Sequence, residues 1–272
     1  MRTKKLAAPA SEEQPDAKLQ RAVQSVEVGG RLLLALAEGD GAMNLKDLAA
    51  LAGLTPSRAH PYLVSYGRLG LVEQDASGRY DLGPAALKIG LACLQRLDPL
   101  KAAEPAVLQL AAQTGHAVAL SVWGNFGPTV VRLIEARQPL HVALRVGSVL
   151  SLFDTATGRA FASAMPDDTL RQAIAGPLGK MDATGLDGRE AALTRIRGEM
   201  RQRGVVRAVG SPIPGVNAFS APVFDMHGRP VLAITVTDHQ DRLSSAWENS
   251  AARAVAEVAR QLTRRLSGQL SI

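Results

Sequence analysis

Ser57, Arg58 and His60 stand close together just behind a helix-start signal, and their side chains suit the reading of a polyanion better than catalysis. Thr55 can cap a helix, and Pro56 then falls at the first helical position, where its missing N–H costs nothing. A helix running from there to about Tyr66 turns Ala59, Leu63 and Tyr66 inward and leaves Ser57, Arg58, His60 and Ser65 outward. The Arg58 fork matches the O6 and N7 acceptors of guanine in a major groove about 12 Å wide. The same charge serves equally as a phosphate contact or a solvated surface group. Further along the chain, Arg79 borders a hairpin from which it can reach phosphate or a minor groove.

Catalytic chemistry is poorly represented. His60, His116, His141, His227 and His239 lack the close spacing of a metal cluster. The lone Cys93 excludes an intrachain disulfide and any multi-cysteine zinc site, and fits a reducing compartment. No nucleophile elbow, phosphate loop or dinucleotide fingerprint occurs. The expectation is therefore a protein without enzymatic activity, cofactor or metal. Because distant residues can meet in a fold, an enzyme stands as the least favoured alternative.

The polar helix needs a scaffold, and its neighbours supply one. Ser25 to Glu38 carries enough apolar positions for a core-facing helix despite Gly29 and Gly30, and Gly39-Asp40-Gly41 stops it. Asn44 can cap a second helix with Leu45, Leu48, Ala49 and Ala52 on one face. After Gly70, Leu71-Val72-Glu73 and Arg79-Tyr80-Asp81-Leu82 read as two short strands around an Asp75-Ala76-Ser77-Gly78 turn. Helix, short helix, turn, second short helix and wing form a helix-turn-helix order. Small helix-helix-hairpin units also serve as protein-binding modules, and that reading stays open.

A helix from Gly83 to Leu97, ended by Asp98-Pro99, has a broad apolar side that calls for a partner or for packing on its own domain. Beyond it lie a helix over Pro105 to Gln113 and an alternating strand over His116 to Trp123. A turn at Gly124 to Gly127 and a strand over Thr129 to Glu135 complete a hairpin. Leu140 to Arg145, a Gly147-Ser148 break and a helix start at Thr155 to Gly158 follow. Helices near Asp168 to Ile174 and Glu190 to Arg203 come next, and then a second hairpin, Val216 to Phe224 and Val231 to Val236, turns at Asp225 to Gly228. A long last helix spans about Ala246 to Leu266. A meander sheet with helices packed on one face is the economical arrangement.

The 272 residues allow one or two domains, and 46% hydrophobic with 21% charged residues is ordinary globular composition. Net charge is +6, yet the first 95 residues hold 11 basic against 10 acidic side chains, so the candidate reading unit is not a basic block. No long apolar run follows the basic start and none reaches the 18 residues of a membrane span, so neither signal peptide nor membrane anchor is expected and the location reads as cytoplasmic.

This ordered set of segments resembles the IclR family of bacterial transcription regulators over roughly residues 20 to 268. The stretches that carry the likeness are Leu48-Ala49-Ala50-Leu51-Ala52-Gly53-Leu54-Thr55-Pro56-Ser57, Leu69-Gly70-Leu71-Val72 and Gly78-Arg79-Tyr80-Asp81-Leu82-Gly83. Thr155-Ala156-Thr157-Gly158-Arg159-Ala160, Ala221-Pro222-Val223-Phe224-Asp225 and Gly228 extend it into the second half. The resemblance implies a two-domain α+β protein: a winged helix-turn-helix at 20–82, a linker helix at 83–97 and a GAF-like α/β effector domain at 98–268, with tails at 1–19 and 269–272. It implies a repressor or activator of a catabolic operon for a small organic or aromatic acid, working as a homodimer or dimer of dimers on double-stranded operator DNA. Ser57, Arg58, His60, Tyr62 and Arg79 fall at its DNA-reading positions. Ala156, Thr157, Val216, Ala218, Thr235 and Thr237 fall at its effector-pocket positions, and the i, i+2 threonines share one strand face where they can bond a carboxylate or hydroxyl. Arg207 can supply charge there, and Trp123 and Phe219 can either stack on an aromatic ligand or fill the core. The family usually has Arg where this chain has Pro61, so the implied alternative is a metabolite-sensing or protein-interaction module with impaired DNA recognition. A proline there asks for a later helix start or a local kink.

Overall fold

A computed structural model describes residues 23–138, 144–182 and 186–267. The tails expected at 1–19 and 269–272 and most of the Leu140 to Arg145 segment lie outside the described residues. The chain divides after Arg96 into two compact units.

In the first unit, α1 (Gln24–Glu38), α2 (Leu45–Leu51) and α3 (Pro56–Arg68) precede the wing strands β1 (Val72–Gln74) and β2 (Tyr80–Leu82), and α4 (Pro84–Arg96) follows. Leu32, Leu36, Leu48, Ala59, Leu63 and Val72 meet in its core. Asn44 caps α2 as expected, accepting the Asp47 N–H at 2.9 Å. Thr55 does not cap with its side chain, because its hydroxyl lies 3.2 Å from Ser57 Oγ instead. Gly29, an apparent weakness in α1, is where α3 comes nearest: an added Cβ would sit 2.1 Å from the Tyr66 hydroxyl and 3.1 Å from a Tyr62 ring carbon.

The second unit holds α5 (Pro99–Thr114), the hairpin β3 (Ala117–Gly124) and β4 (Gly127–Ile134), then α6 (Ala156–Ala164), α7 (Asp167–Ala175) and α8 (Leu186–Arg203). After these come β5 (Val206–Val209), β6 (Val216–Phe224), β7 (Pro230–His239) and α9 (Ser250–Leu266). The antiparallel sheet runs β4-β3-β7-β6-β5. Helices cover both of its faces, correcting the one-sided arrangement expected from the sequence. Val118, Leu120, Phe219, Ile234 and Val236 face α5 and α9, and Ala233 and Val206 pack with α6 and α8. Two-sided cover also explains why the first five residues of β3 are all buried where the sequence suggested alternation.

Helix boundaries differ where caps decide them. Asp98 accepts the Leu100 and Lys101 N–H groups, so it starts α5 at Pro99 and carries that helix through Pro105. Asn249 caps α9 through the Ala251 N–H at 2.8 Å, later than the expected Ala246 start. Short β5 was not anticipated; it is a four-residue edge strand with a weak pattern of its own.

One buried ionic cluster ties β7 to the chain around it. Asp238, 1% exposed, accepts from Arg242 Nε at 2.9 Å and the His239 N–H at 2.7 Å, and lies 2.8 Å from His116 Nδ1. Burial alone would raise its pKa, but the donors from Arg242, His116 and the backbone outweigh burial and hold the carboxyl below its usual range. A carboxylate depressed in the folded state stabilises at neutral pH and loses that contribution as pH falls through its folded pKa. Asp238→Asn should therefore lower the melting temperature at pH 7, and its gap to the parent protein should close below about pH 4. A constant gap down to pH 2 in a pH series of thermal melts would contradict this.

Candidate functional site

Two places collect the side chains singled out by the sequence. On α3, Ser57, Arg58 and His60 are exposed, and the Arg58 guanidinium has no hydrogen bond or ion pair among the described residues. Pro61 sits inside the helix on the same exposed side, so α3 neither starts later nor ends at the proline. The Ser57 carbonyl loses its i+4 donor there, at a surface where water or a ligand can replace it. Ser65 spends its proton on the Pro61 carbonyl at 2.9 Å. Tyr62 is half-buried, with its ring against α1 at Gly29.

Arg79 follows the wing turn and is held by Asp75: Nε and Nη2 each lie 2.9 Å from Asp75 Oδ2. Hydrogen bonds from Ser77 and from the Arg79 backbone push the Asp75 pKa strongly down. The second hairpin repeats this device, with Asp225 accepting the His227 and Arg229 N–H groups and pairing with the Arg229 guanidinium at 2.8 Å. An Asp-x-x-Gly-Arg turn is thus a staple in itself, and Gly78 and Gly228 supply its left-handed residue at φ 82° and 70°. The pair Arg79→Ala and Arg229→Ala separates turn from DNA contact. The first should weaken binding evenly across duplex sequences and reduce the salt slope by about one. The second should leave both unchanged, as read by fluorescence anisotropy in a salt series.

The other place is a cavity of about 90 Å³ between α6 and the sheet. Ala156, Thr157, Val216, Ala218, Thr235 and Thr237 all line it. α6 enters because Thr155 caps it, accepting the Gly158 N–H at 3.0 Å. Half-buried Arg159 then anchors the helix start, donating Nε to the Phe153 carbonyl at 2.6 Å and Nη1 to the Arg207 carbonyl at 2.5 Å. Burial lowers the Arg159 pKa. Inside, the Thr157 and Thr235 hydroxyl oxygens are 2.7 Å apart, and Thr235 donates to Ser220 Oγ at 2.8 Å. No charged side chain lines the cavity among the described residues.

The expected charge from Arg207 goes elsewhere. Its guanidinium stacks on Trp247 at 4.1 Å and donates to the Ser245 carbonyl. Phe219 is fully buried on the opposite sheet face, and Trp123 meets Phe161 edge-on at 5.7 Å. Trp123 lines a separate cleft of about 250 Å³ beside Phe126 and Gln172. A third cleft, about 410 Å³, runs between α7 and α8 past Arg171 and Arg197. Neither gathers the threonine hydroxyls.

Comparison with known proteins decides the family. The IclR helix-turn-helix domain model matches residues 25–76, and the model described as the bacterial transcriptional regulator IclR C-terminal matches residues 91–264. The chain belongs to the IclR family. This IclR-family protein is 31% identical over 230 residues to a glycerol operon regulatory protein of Streptomyces griseus, covering 83% of this chain and 88% of that one. It is 28% identical to the Streptomyces coelicolor counterpart across 91% of this chain and 98% of that protein. The crystal structure of Pseudomonas aeruginosa HmgR superposes with a TM-score of 0.80 at 35% identity, over 92% of this chain and all (100%) of that one. As an IclR-family member it is a ligand-responsive DNA-binding transcriptional regulator. Among the described residues no three His, Cys, Asp or Glu side chains gather as a metal site, and no helix is long and apolar enough to cross a membrane.

Sequence reasoning missed part of this IclR-family cavity. Ala119, Leu144, Leu150 and the 211–213 loop complete its wall. Ser220 was missed because counting outward from the Asp225 to Gly228 turn sets it opposite Ile234; an irregularity between Val223 and Phe224 shifts the register by one and brings it opposite Thr235. Nothing in the local pattern announces that β3 lies on the other side of β7, because that pairing joins distant segments.

Proposed function

We infer that α3 and the wing read double-stranded operator DNA through Ser57, Arg58, His60, Tyr62 and Arg79, and that the α6 cavity takes a small organic effector. The domains are read as 20–82 for DNA, 83–97 for the linker and 98–268 for the effector. The observation that carries this reading is the convergence of Ala156, Thr157, Val216, Ala218, Thr235 and Thr237 from three elements on one cavity. The names of the Streptomyces relatives support control of an operon, here one for breakdown of a small organic or aromatic acid. Helix α4 supports a homodimer or dimer of dimers: it has no buried residue, and Leu87, Ile89, Leu91 and Leu94 are all exposed. The effector acts by binding two arrangements of the dimer unequally, since equal affinity would shift nothing. A cytoplasmic location without catalysis follows from this role.

The test is fluorescence anisotropy with the duplex upstream of the protein's own gene, at several salt concentrations and with candidate acids added. Specific binding over random duplex, altered by one acid, is expected. Equal affinity for both duplexes at every salt would favour the module with impaired DNA recognition, a reading prompted by Pro61 on the exposed side of α3.

A further inference from the structure

The hydroxyl protons around the α6 cavity are already committed, and this limits what a ligand must bring. Thr155, Thr157, Thr235 and Thr237 line the cavity, and each hydroxyl owns one proton and two lone pairs. Thr155 donates its proton to the Ser151 carbonyl at 2.7 Å. Thr237 donates to the Asn217 carbonyl at 3.1 Å. Thr235 donates to Ser220 Oγ at 2.8 Å, so in its 2.7 Å contact with Thr157 it can only accept, and Thr157 must be the donor. All four threonine protons are therefore used within the protein, in a relay that runs from Thr157 through Thr235 to Ser220. Lone pairs are what Thr157 and Thr237 have left for a guest. Ser211, on the loop above, is the lining hydroxyl whose proton is uncommitted among the described residues.

We propose that the effector is a hydroxylated organic compound, an aliphatic hydroxy acid or a phenolic acid, whose hydroxyl donates its one proton to Thr157 or to Thr237. The proposal rests on the reading of this cavity as the effector site. A keto, ether or carboxylate oxygen set against these threonines would oppose lone pair to lone pair and stay unsatisfied. A missing hydrogen bond at a buried polar group lowers affinity about ten- to a hundredfold. The relay also makes the preference adjustable from a distance. Thr235→Val keeps the shape but removes the acceptor for Thr157, which regains a proton to offer. Ser220→Ala lets the Thr235 proton turn back toward Thr157, with the same effect.

Isothermal titration of the full chain with matched probes tests this: lactate against pyruvate and propionate, and 4-hydroxybenzoate against benzoate and 4-methoxybenzoate. At least one hydroxyl-bearing probe should bind about tenfold tighter than both of its mates. Ala218→Leu, which fills the cavity from β6, should abolish that binding, and Thr235→Val and Ser220→Ala should bring the preference to parity or invert it. Thermal melts verify that each variant is folded. If the keto or parent acids bind as tightly while Ala218→Leu still blocks them, the cavity reading survives and the proposal fails. If hydroxyl probes bind unaffected by Ala218→Leu, the cavity reading fails and takes the proposal with it. An unchanged preference in both relay variants, or no binding by any hydroxyl probe, also overturns it.

Discussion

Gly158→Ala is expected to destabilise the second unit by about 3 kcal/mol, or roughly 6–12 °C in its melting temperature, and to remove effector response with it. The added Cβ would stand 2.1 Å from the Ser151 carbonyl oxygen, 2.6 Å from the Leu152 carbonyl oxygen and 2.7 Å from Leu152 Cα. All three neighbours are backbone, so no side chain can swing aside. α6 would have to withdraw from the 151–153 segment, stretching the Thr155 bond to Ser151 and the Arg159 bond to Phe153. The usual gain of about 1 kcal/mol for alanine over glycine in a helix is too small to offset this. Gly198→Ala in α8 is the matched control, because nothing lies within 4 Å of its added Cβ. It should be neutral or slightly stabilising. Calorimetry of the two variants decides the matter, and equal transition temperatures would refute the close-approach argument.

Arg58→Ala should weaken operator binding about 5- to 150-fold while leaving the melting temperature unchanged. The Arg58 side chain is exposed and free of hydrogen bonds and ion pairs among the described residues, so its removal costs the fold little. Arg58→Lys distinguishes the two kinds of contact. Lysine keeps a phosphate contact but lacks the rigid planar fork that matches guanine O6 and N7, so a base contact predicts lost discrimination in Arg58→Ala and weakened discrimination in Arg58→Lys, whereas a phosphate contact predicts that lysine restores binding. Affinity within twofold of the parent for Arg58→Ala, on operator and random duplex alike, would remove Arg58 from the reading surface. Tyr62 should behave differently. Its ring packs against Gly29, so Tyr62→Ala should lower the stability of the first unit as well as any DNA affinity.

Much of the first unit was legible because its signals are local. Asn44 caps α2, Gly53 and Gly70 take positive φ at the breaks, and the Asp75 to Gly78 turn fixes the wing register within a few residues. The second hairpin was equally readable from Asp225 to Gly228. Cap chemistry was legible as a type but not always as a choice, since Asp98 could end one helix or begin the next and it begins α5. Pro61 shows the same limit in reverse: a rule about helix interiors suggested a late start or a kink, and the late start is wrong, since α3 keeps its start at Pro56 and carries the proline on its exposed side.

By itself the sequence determined the order of elements and the hairpin turns, since each depends on neighbours a few residues apart, and its resemblance to the family marked the positions that meet at the α6 cavity. Only the tertiary structure decided that helices clothe both sheet faces and that Arg207 is drawn to Trp247. It alone decided that Gly158 lies against bare backbone and that the threonine protons run inward to Ser220. Those facts depend on contacts between segments tens of residues apart, such as the 78 between Thr157 and Thr235, and no periodicity in a linear chain encodes which distant surface a side chain will meet.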